Sequence, residues 1–278
     1  MNKPNCVITG ATGGVGAELA KIAAQRGYNL VLHGRKQDEL EGLKSKLAND
    51  FPDIQVKLVA GDLGTSNGAQ NVAQQILDLD IAIDILFNNA GVLLDRVLAS
   101  PDGVEIHTQV NLIAPFVLMH LLTAPVSQAG GAIINVSSSS MFRARDLSLD
   151  ELENPKSFSQ LAGPYARSKL ALSVVTYELA DRFGEKGVSV LSASPGASKT
   201  GMTSSRGLPW FVRLLGPLFF GSANQGAAKL FAAYDSSRKD SQPGAFYDGE
   251  MTKDLPKLGR INGIGTALIE FCRSKSGL

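Results

Sequence analysis

The stretch "CVITGATGGVGAELA" (residues 6–20) decides the fold. Its first four residues, Cys6 to Thr9, are apolar and β-prone, as in a short buried strand. Gly10, Gly13, Gly14 and Gly16 follow, and a helical pattern begins within the same run. Glycines at a strand-to-helix turn let the backbone bend sharply and come close to a ligand. The N–H groups at the helix start then favour a pyrophosphate. The spacing is T-G-x-x-x-G-x-G from Thr9 to Gly16. It is not G-x-G-x-x-G, because Leu19 stands where the third glycine would be. A glycine run alone also fits a turn with no ligand. Its place after the first strand favours a dinucleotide.

Outward from this loop, short β-rich runs alternate with helical patterns. Strands are expected at 6–9, 29–33, 55–60, 83–88, 132–137, 188–194 and 244–248, and several are apolar almost throughout. Such runs suit strands covered on both faces. Helices are expected at 15–26, 36–49, 66–79, 101–128, 164–183 and 223–234. This alternation predicts an α/β fold: one domain over residues 1–278, with a Rossmann-type doubly wound parallel sheet of about seven strands and helices on both faces. Two stretches break the rhythm, 139–163 and 199–222 ("KTGMTSSRGLPWFVRLLGPLFFGS"). Ligands bind outside the carboxyl ends of such strands, so long connections there are candidate substrate walls.

Composition narrows the function. Lys+Arg 27 against Asp+Glu 26 leaves a formal charge of +1, which gives no field for nucleic acid or an anionic membrane. Cys6 and Cys272 stand near opposite ends and have no metal or disulfide spacing. They read as reduced thiols of a cytoplasmic protein. The start "MNKPNCVITG" moves straight into a strand, so no signal peptide is expected, and no apolar run reaches the ~18 residues of a membrane span.

The end of the second strand reads "LHGRKQDEL", with Arg35 and Lys36 where an NAD enzyme usually places an acid to grip the ribose. Two cations suit a 2′-phosphate, so NADP is expected. The alternative is an ordinary charged helix start. His33 reads as a packing or adenine-side residue, and His107 and His120 as structural. Asp62, before Leu63 in "AGDLG", is either an adenine acceptor or a helix cap. In "FNNAG" (87–91), Asn88 and Asn89 can brace the strand end, while Ala90 and Gly91 leave room for a cofactor. Asn111 inside a helix is unfavourable and suggests a local break or a held water.

In "GPYARSKLAL" (163–172), Tyr165 and Lys169 share a helix face at i and i+4. A phenol titrates near ~10, too high for acid-base work at neutral pH, and a nearby ammonium would favour its ionised form. A serine from "INVSSSS" (134–140) could hold the same substrate oxygen.

With these motifs in order, the chain resembles the short-chain dehydrogenase/reductase family from about residue 5 to about residue 200. The resemblance implies that Tyr165 is the general acid/base, Lys169 its electrostatic aid and a ribose ligand, and Asn111 the water holder of a proton relay. It points to Ser138 as the active serine, with Ser137, Ser139 and Ser140 as rivals for the register. The cofactor would be held by Thr9, Gly10, Thr12, Gly14, Val15 and Gly16, with Arg35 and Lys36, then Asp62 and Leu63. Asn89, Ala90 and Gly91 would line it further on, together with Tyr165 and Lys169. Pro195, Gly196 and Thr200 would frame the nicotinamide. The 26 residues between Ser138 and Tyr165, with "LHGR", "YARSKLAL" and "PGASKT", are similar to the retinol-dehydrogenase-like branch.

The expected function is an NADP(H)-dependent oxidoreductase for an apolar alcohol, aldehyde or ketone. The rivals are an NAD-linked alcohol dehydrogenase and a dinucleotide-binding sensor or scaffold without turnover. The apolar residues from Leu208 to Phe220 read as a substrate lid in preference to a membrane-surface contact. By resemblance a homodimer or homotetramer would pair through helices 101–128 and 164–183. No nucleic-acid partner and no metal are expected.

Overall fold

A computed structural model describes residues 3–196, 222–240 and 242–278. The expected lid at 199–222, with Thr200 and the apolar 208–220 run, lies outside them except for Ser222.

Eight strands form one sheet in the order β3-β2-β1-β4-β5-β6-β7-β8. They are β1 (Asn5–Ile8), β2 (Asn29–Gly34), β3 (Val56–Ala60), β4 (Ile85–Asn88), β5 (Ala132–Val136), β6 (Ser189–Ser194), β7 (Phe246–Asp248) and β8 (Met251–Lys253). All pairs through β7 are parallel, and β8 returns antiparallel. The seven-strand expectation is therefore short by one. Gly249, at φ +68°, opens a two-residue turn between Asp248 and Met251. Every residue of β8 is exposed, so it carries no hydrophobic alternation that would betray it.

The strands other than β8 feed two cores. Cys6 and Ile8 of β1 face one side, while Val7 between them faces the other, as the two-residue repeat of a strand requires. The first side is covered by α1 (Gly14–Gln25), α2 (Gln37–Asp50) and later α9 (Ala223–Lys239). The second is covered by α3 (Ser66–Leu77), α5 (Ala114–Leu121), α8 (Pro164–Gly184) and α10 (Ile264–Ser276). The short helices are α4 (Ile106–Thr108), α6 (Thr123–Gln128) and α7 (Leu149–Glu153).

The expected helix 101–128 is corrected. Residues 101–105 are not helical: Gly103 turns at φ +78°, and the helix begins at Ile106 under a Glu105 cap. A π-helical turn, Gln109–Ile113, joins α4 to α5, and the run breaks again at Leu122. The last helix, α10, was not expected. Leu268, Ile269, Phe271 and Cys272 join it to the core of α3, α5 and α8. The face proposed for pairing two subunits is thus partly covered by the chain's own C-terminal helix. Cys6 and Cys272 are both buried and unpaired. Among the described residues, no helix is long and apolar enough to cross a membrane.

The strand order reverses between β1 and β4. Their carboxyl ends open the crevice in which the fold can bind a ligand.

Candidate active site

The glycine loop is tight by necessity. Gly10 sits at φ +64°, and a side chain there would press within 2.9 Å of the Ala90 backbone. At Gly16 a Cβ would collide with the Gly10 carbonyl and lie 2.8 Å from Asn89 Nδ2. Asn89 donates to the carbonyls of Thr9 (2.8 Å) and Gly10 (3.2 Å), while Thr9 Oγ1 accepts the Ala90 N–H at 2.9 Å. The ends of β1 and β4 are stitched together in this way. Among the described residues no side chain caps α1, so its first N–H groups are open to an anion.

A groove of about 450 Å³ runs over this loop. Thr12, Gly14, Val15 and Gly16 line it, as do Arg35, Asp62, Leu63, Asn89, Ala90 and Gly91. These positions, expected at a cofactor, line one groove. Among the described residues Arg35 has no hydrogen-bond or ion-pair partner, whereas Lys36 Nζ is engaged with Glu39 at 2.7 Å and does not line the groove. Asp62 is not the helix cap: Thr65 caps α3 through Gly68, and Asp62 accepts the Gly64 N–H at the groove edge. His33 is buried and spans the loop, with Nδ1 accepting the Gly10 N–H at 3.4 Å and Nε2 donating to the Gly61 carbonyl at 3.2 Å. Burial pulls its pKa down to about 4, so it stays neutral. A groove of this size over a glycine turn too tight for side chains at Gly10 or Gly16 fits a dinucleotide. A larger hollow of about 840 Å³, beside Tyr177 and Arg260, touches none of these residues and lacks such a cradle.

Beyond Gly91 the polar set gathers. Gly163 ends the long connection, and Pro164 starts α8, where its missing N–H costs nothing. Tyr165 therefore lies in the first turn and Lys169 one turn later. The Tyr165 phenol adjoins the Ser138 hydroxyl. Burial raises the phenol above its usual range, and Ser138 acts against it. Lys169 Nζ donates to the Val136 carbonyl at 2.7 Å, and burial lowers its pKa to about 7. Lys169 Nζ is thus held on the end of β5, one turn along α8 from Tyr165. A Cβ at Gly91 would lie 3.1 Å from Asn111 Oδ1 and 3.4 Å from Lys169 Nζ, so this set adjoins the groove.

Asn111 does hold a local break. In the π-turn its Oδ1 accepts the Val92 N–H (2.8 Å), and its Nδ2 donates to the Val92 carbonyl and Ser168 Oγ, both at 3.1 Å. The serine register also separates physically. Ser137 is buried, donating to the Lys169 carbonyl at 2.9 Å and accepting from Ser173 at 2.8 Å. Ser139 bonds Ser194 at 3.2 Å, and Ser140 bonds Ser138. Of the four, Ser138 is the one that acts on the phenol. Pro195 and Gly196 close β6, with Gly196 at φ +74° and its N–H on Ser194 Oγ at 3.0 Å.

Two features escaped the sequence reading. Arg167 is buried and forks onto Asp146 at 2.8 and 2.9 Å, pinning the 139–163 connection to α8. Its place between the two motif residues Tyr165 and Lys169 gave no sign of burial. His107 does have a partner: Glu105 Oε1 lies 2.6 Å from its Nδ1. A Glu two residues before a His, just past an Asp-Gly turn, was the available signal.

The short chain dehydrogenase family model matches residues 4–148. Human polyprenol dehydrogenase is 28% identical, covering 90% of this chain and 78% of that protein. Mouse retinol dehydrogenase 12 is 32% identical, covering 80% and 70%. Among solved structures, a short-chain dehydrogenase from Sphingobium yanoikuyae in complex with NADPH aligns at TM-score 0.70 with 22% identity, over 96% of this chain and 95% of that one. L-sorbose reductase from Gluconobacter frateurii, complexed with NADPH and L-sorbose, aligns at TM-score 0.71 with 24% identity, over 93% and 97%.

Proposed function

Since the chain belongs to the short-chain dehydrogenase/reductase family, we propose that it is an NADP(H)-dependent oxidoreductase that interconverts an apolar alcohol with its aldehyde or ketone. The observation that carries this reading is the meeting of Tyr165 with Ser138, beside the glycine-loop groove that Gly91 joins to Lys169 and Asn111.

NADP(H), when bound, supplies or accepts the hydride at its nicotinamide. Arg35, without a partner among the described residues and lining the groove, would take the 2′-phosphate in a two-point hydrogen bond. The open N-terminus of α1 would take the pyrophosphate. The two similar solved structures named above are complexes with NADPH, which supports the choice over NAD.

In the reductive direction Tyr165 gives its phenolic proton to the carbonyl oxygen as the carbon becomes an alcohol. Ser138 holds that oxygen and stabilises the phenolate left behind. Lys169 spends one donor on Val136 and keeps others for ribose hydroxyls, and its ammonium favours the phenolate that the step leaves. Asn111 fixes the floor under them through Val92. Val92, Leu94, Ile106 and Val110 give the groove an apolar wall. This wall, with the polyprenol and retinol named for the relatives, supports an apolar substrate.

The test is NADPH oxidation by the purified protein with nonanal, 4-nitrobenzaldehyde and retinal, repeated with NADH. Turnover with NADPH supports the reading. NADPH binding with no turnover of any carbonyl or alcohol would favour a dinucleotide sensor, and preference for NADH would remove the role of Arg35.

A further inference from the structure

Glu105 and His107 occupy a place that the proposed reaction does not use. Both are buried, His107 completely. The Glu105 carboxylate accepts the backbone N–H groups of His107 (2.8 Å) and Thr108 (3.2 Å), which caps α4. Its other oxygen meets His107 Nδ1 at 2.6 Å. His107 Nε2 lies 2.9 Å from the Leu94 backbone nitrogen. A backbone N–H can only donate, so Nε2 must be the acceptor, and Nδ1 carries the proton that Glu105 receives. Both ring nitrogens are therefore committed. The imidazole has no site left to pass a proton to the reaction.

What remains is its ring, which stands edge-on to the Tyr165 ring at 6.2 Å between centroids and 73° between planes. The other end of the contact is equally specific. Leu94 lines the groove, as does Val92, and Asn111 grips Val92 as His107 grips Leu94. Residues one helical turn apart thus hold alternate residues of one extended segment. His107 alone of the two also touches the phenol.

We propose that His107, oriented by Glu105, is a positioning residue that couples the cofactor-lining segment 91–94 to the orientation of Tyr165. This inference rests on the enzymatic reading above. The two halves of the coupling can be separated by substitution. His107→Gln keeps an acceptor for Leu94 and a donor for Glu105 but removes the ring. His107→Phe keeps a ring against Tyr165 but leaves the Leu94 N–H without an acceptor.

The experiment measures NADPH Kd by fluorescence, together with kcat and KM for the best-reduced aldehyde of the panel. His107→Gln is expected to hold NADPH Kd within about three-fold and to lower kcat about five- to ten-fold with KM unchanged, because the loss is one of aromatic orientation. His107→Phe is expected to raise NADPH Kd about ten-fold or more, because a buried donor is left unpaired. A kcat for His107→Gln within about two-fold of wild type, or an unchanged NADPH Kd in His107→Phe, overturns the coupling. Where His107→Phe does not fold, as circular dichroism would show, His107→Gln alone decides. A wild-type protein without turnover would sink the enzymatic reading, and the NADPH arm would still test the Leu94 clamp.

Discussion

The hydroxyl of Ser138 adjoins the phenol of Tyr165, one following β5 and the other in the first turn of α8. Burial raises the phenol, and Ser138 opposes it. Ser138→Ala is therefore expected to lower kcat about 100-fold, as loss of an oxyanion donor does. Ser137→Ala serves as the contrast. Its hydroxyl bridges the Lys169 carbonyl and Ser173 inside the core, so the variant should lose about 1 kcal/mol of stability by urea unfolding while keeping most of its turnover. The reverse pattern would shift the serine register by one.

Arg35→Ala is expected to weaken NADPH about 10- to 100-fold and to leave NADH within about two-fold, since only the 2′-phosphate is lost as a partner. Lys36→Ala should cost less, because Lys36 is already engaged with Glu39. Fluorescence titration of both nucleotides against both variants reads this. Equal losses for NADH and NADPH would mean that Arg35 is not the discriminating group.

Gly16→Ala drives a methyl into the Gly10 carbonyl and close to Asn89 Nδ2. It should destabilise the protein by about 1–3 kcal/mol and abolish tight NADPH binding. An alanine at Gly13 meets nothing within 4 Å, so Gly13→Ala should unfold close to the wild-type urea midpoint. Similar midpoints for Gly16→Ala and Gly13→Ala would show that the loop yields more than its contacts imply.

The parts of this molecule legible in its sequence are those written in contiguous residues. The glycine turn needs backbone room at fixed spacing, and Tyr165 and Lys169 need one helical turn, so both survive as local patterns. The parallel strands were legible because both faces are buried and their apolar runs are continuous. Three features failed for physical reasons. The exposed β8 has no core-facing side chain to mark it. Glu105 and His107 were hidden by starting a helix at 101, which overlooked the turn at Gly103 and made His107 a mid-helix residue without a partner. Arg167 sits between two motif residues, and the local pattern does not show that it is buried against Asp146 in the preceding connection. The helix α10 did leave a trace: Ile264, Leu268, Phe271 and Cys272 fall on one helical face between Gly263 and Gly277, both in left-handed backbone.

His33 gives the protein an acid-sensitive joint. Its pKa is about 4 in the fold against 6.5 when free. Between these values the unfolded chain binds a proton that the folded one refuses, so stability is retained above pH 6.5 and falls as pH drops toward 4. The loss assignable to this residue is at most about 3 kcal/mol. Urea unfolding at neutral pH and in the acid part of that window should show a smaller acid loss in His33→Gln than in wild type. Equal losses would place the acid sensitivity elsewhere.

The central claim, that the Tyr165 phenol moves the substrate's proton, is tested most directly by Tyr165→Phe. The substitution keeps the ring and its contact with His107 and removes only the hydroxyl. We expect kcat to fall by about 10²- to 10⁴-fold while NADPH Kd changes little. A Tyr165→Phe protein that reduces the same aldehyde at close to the wild-type rate would contradict the account.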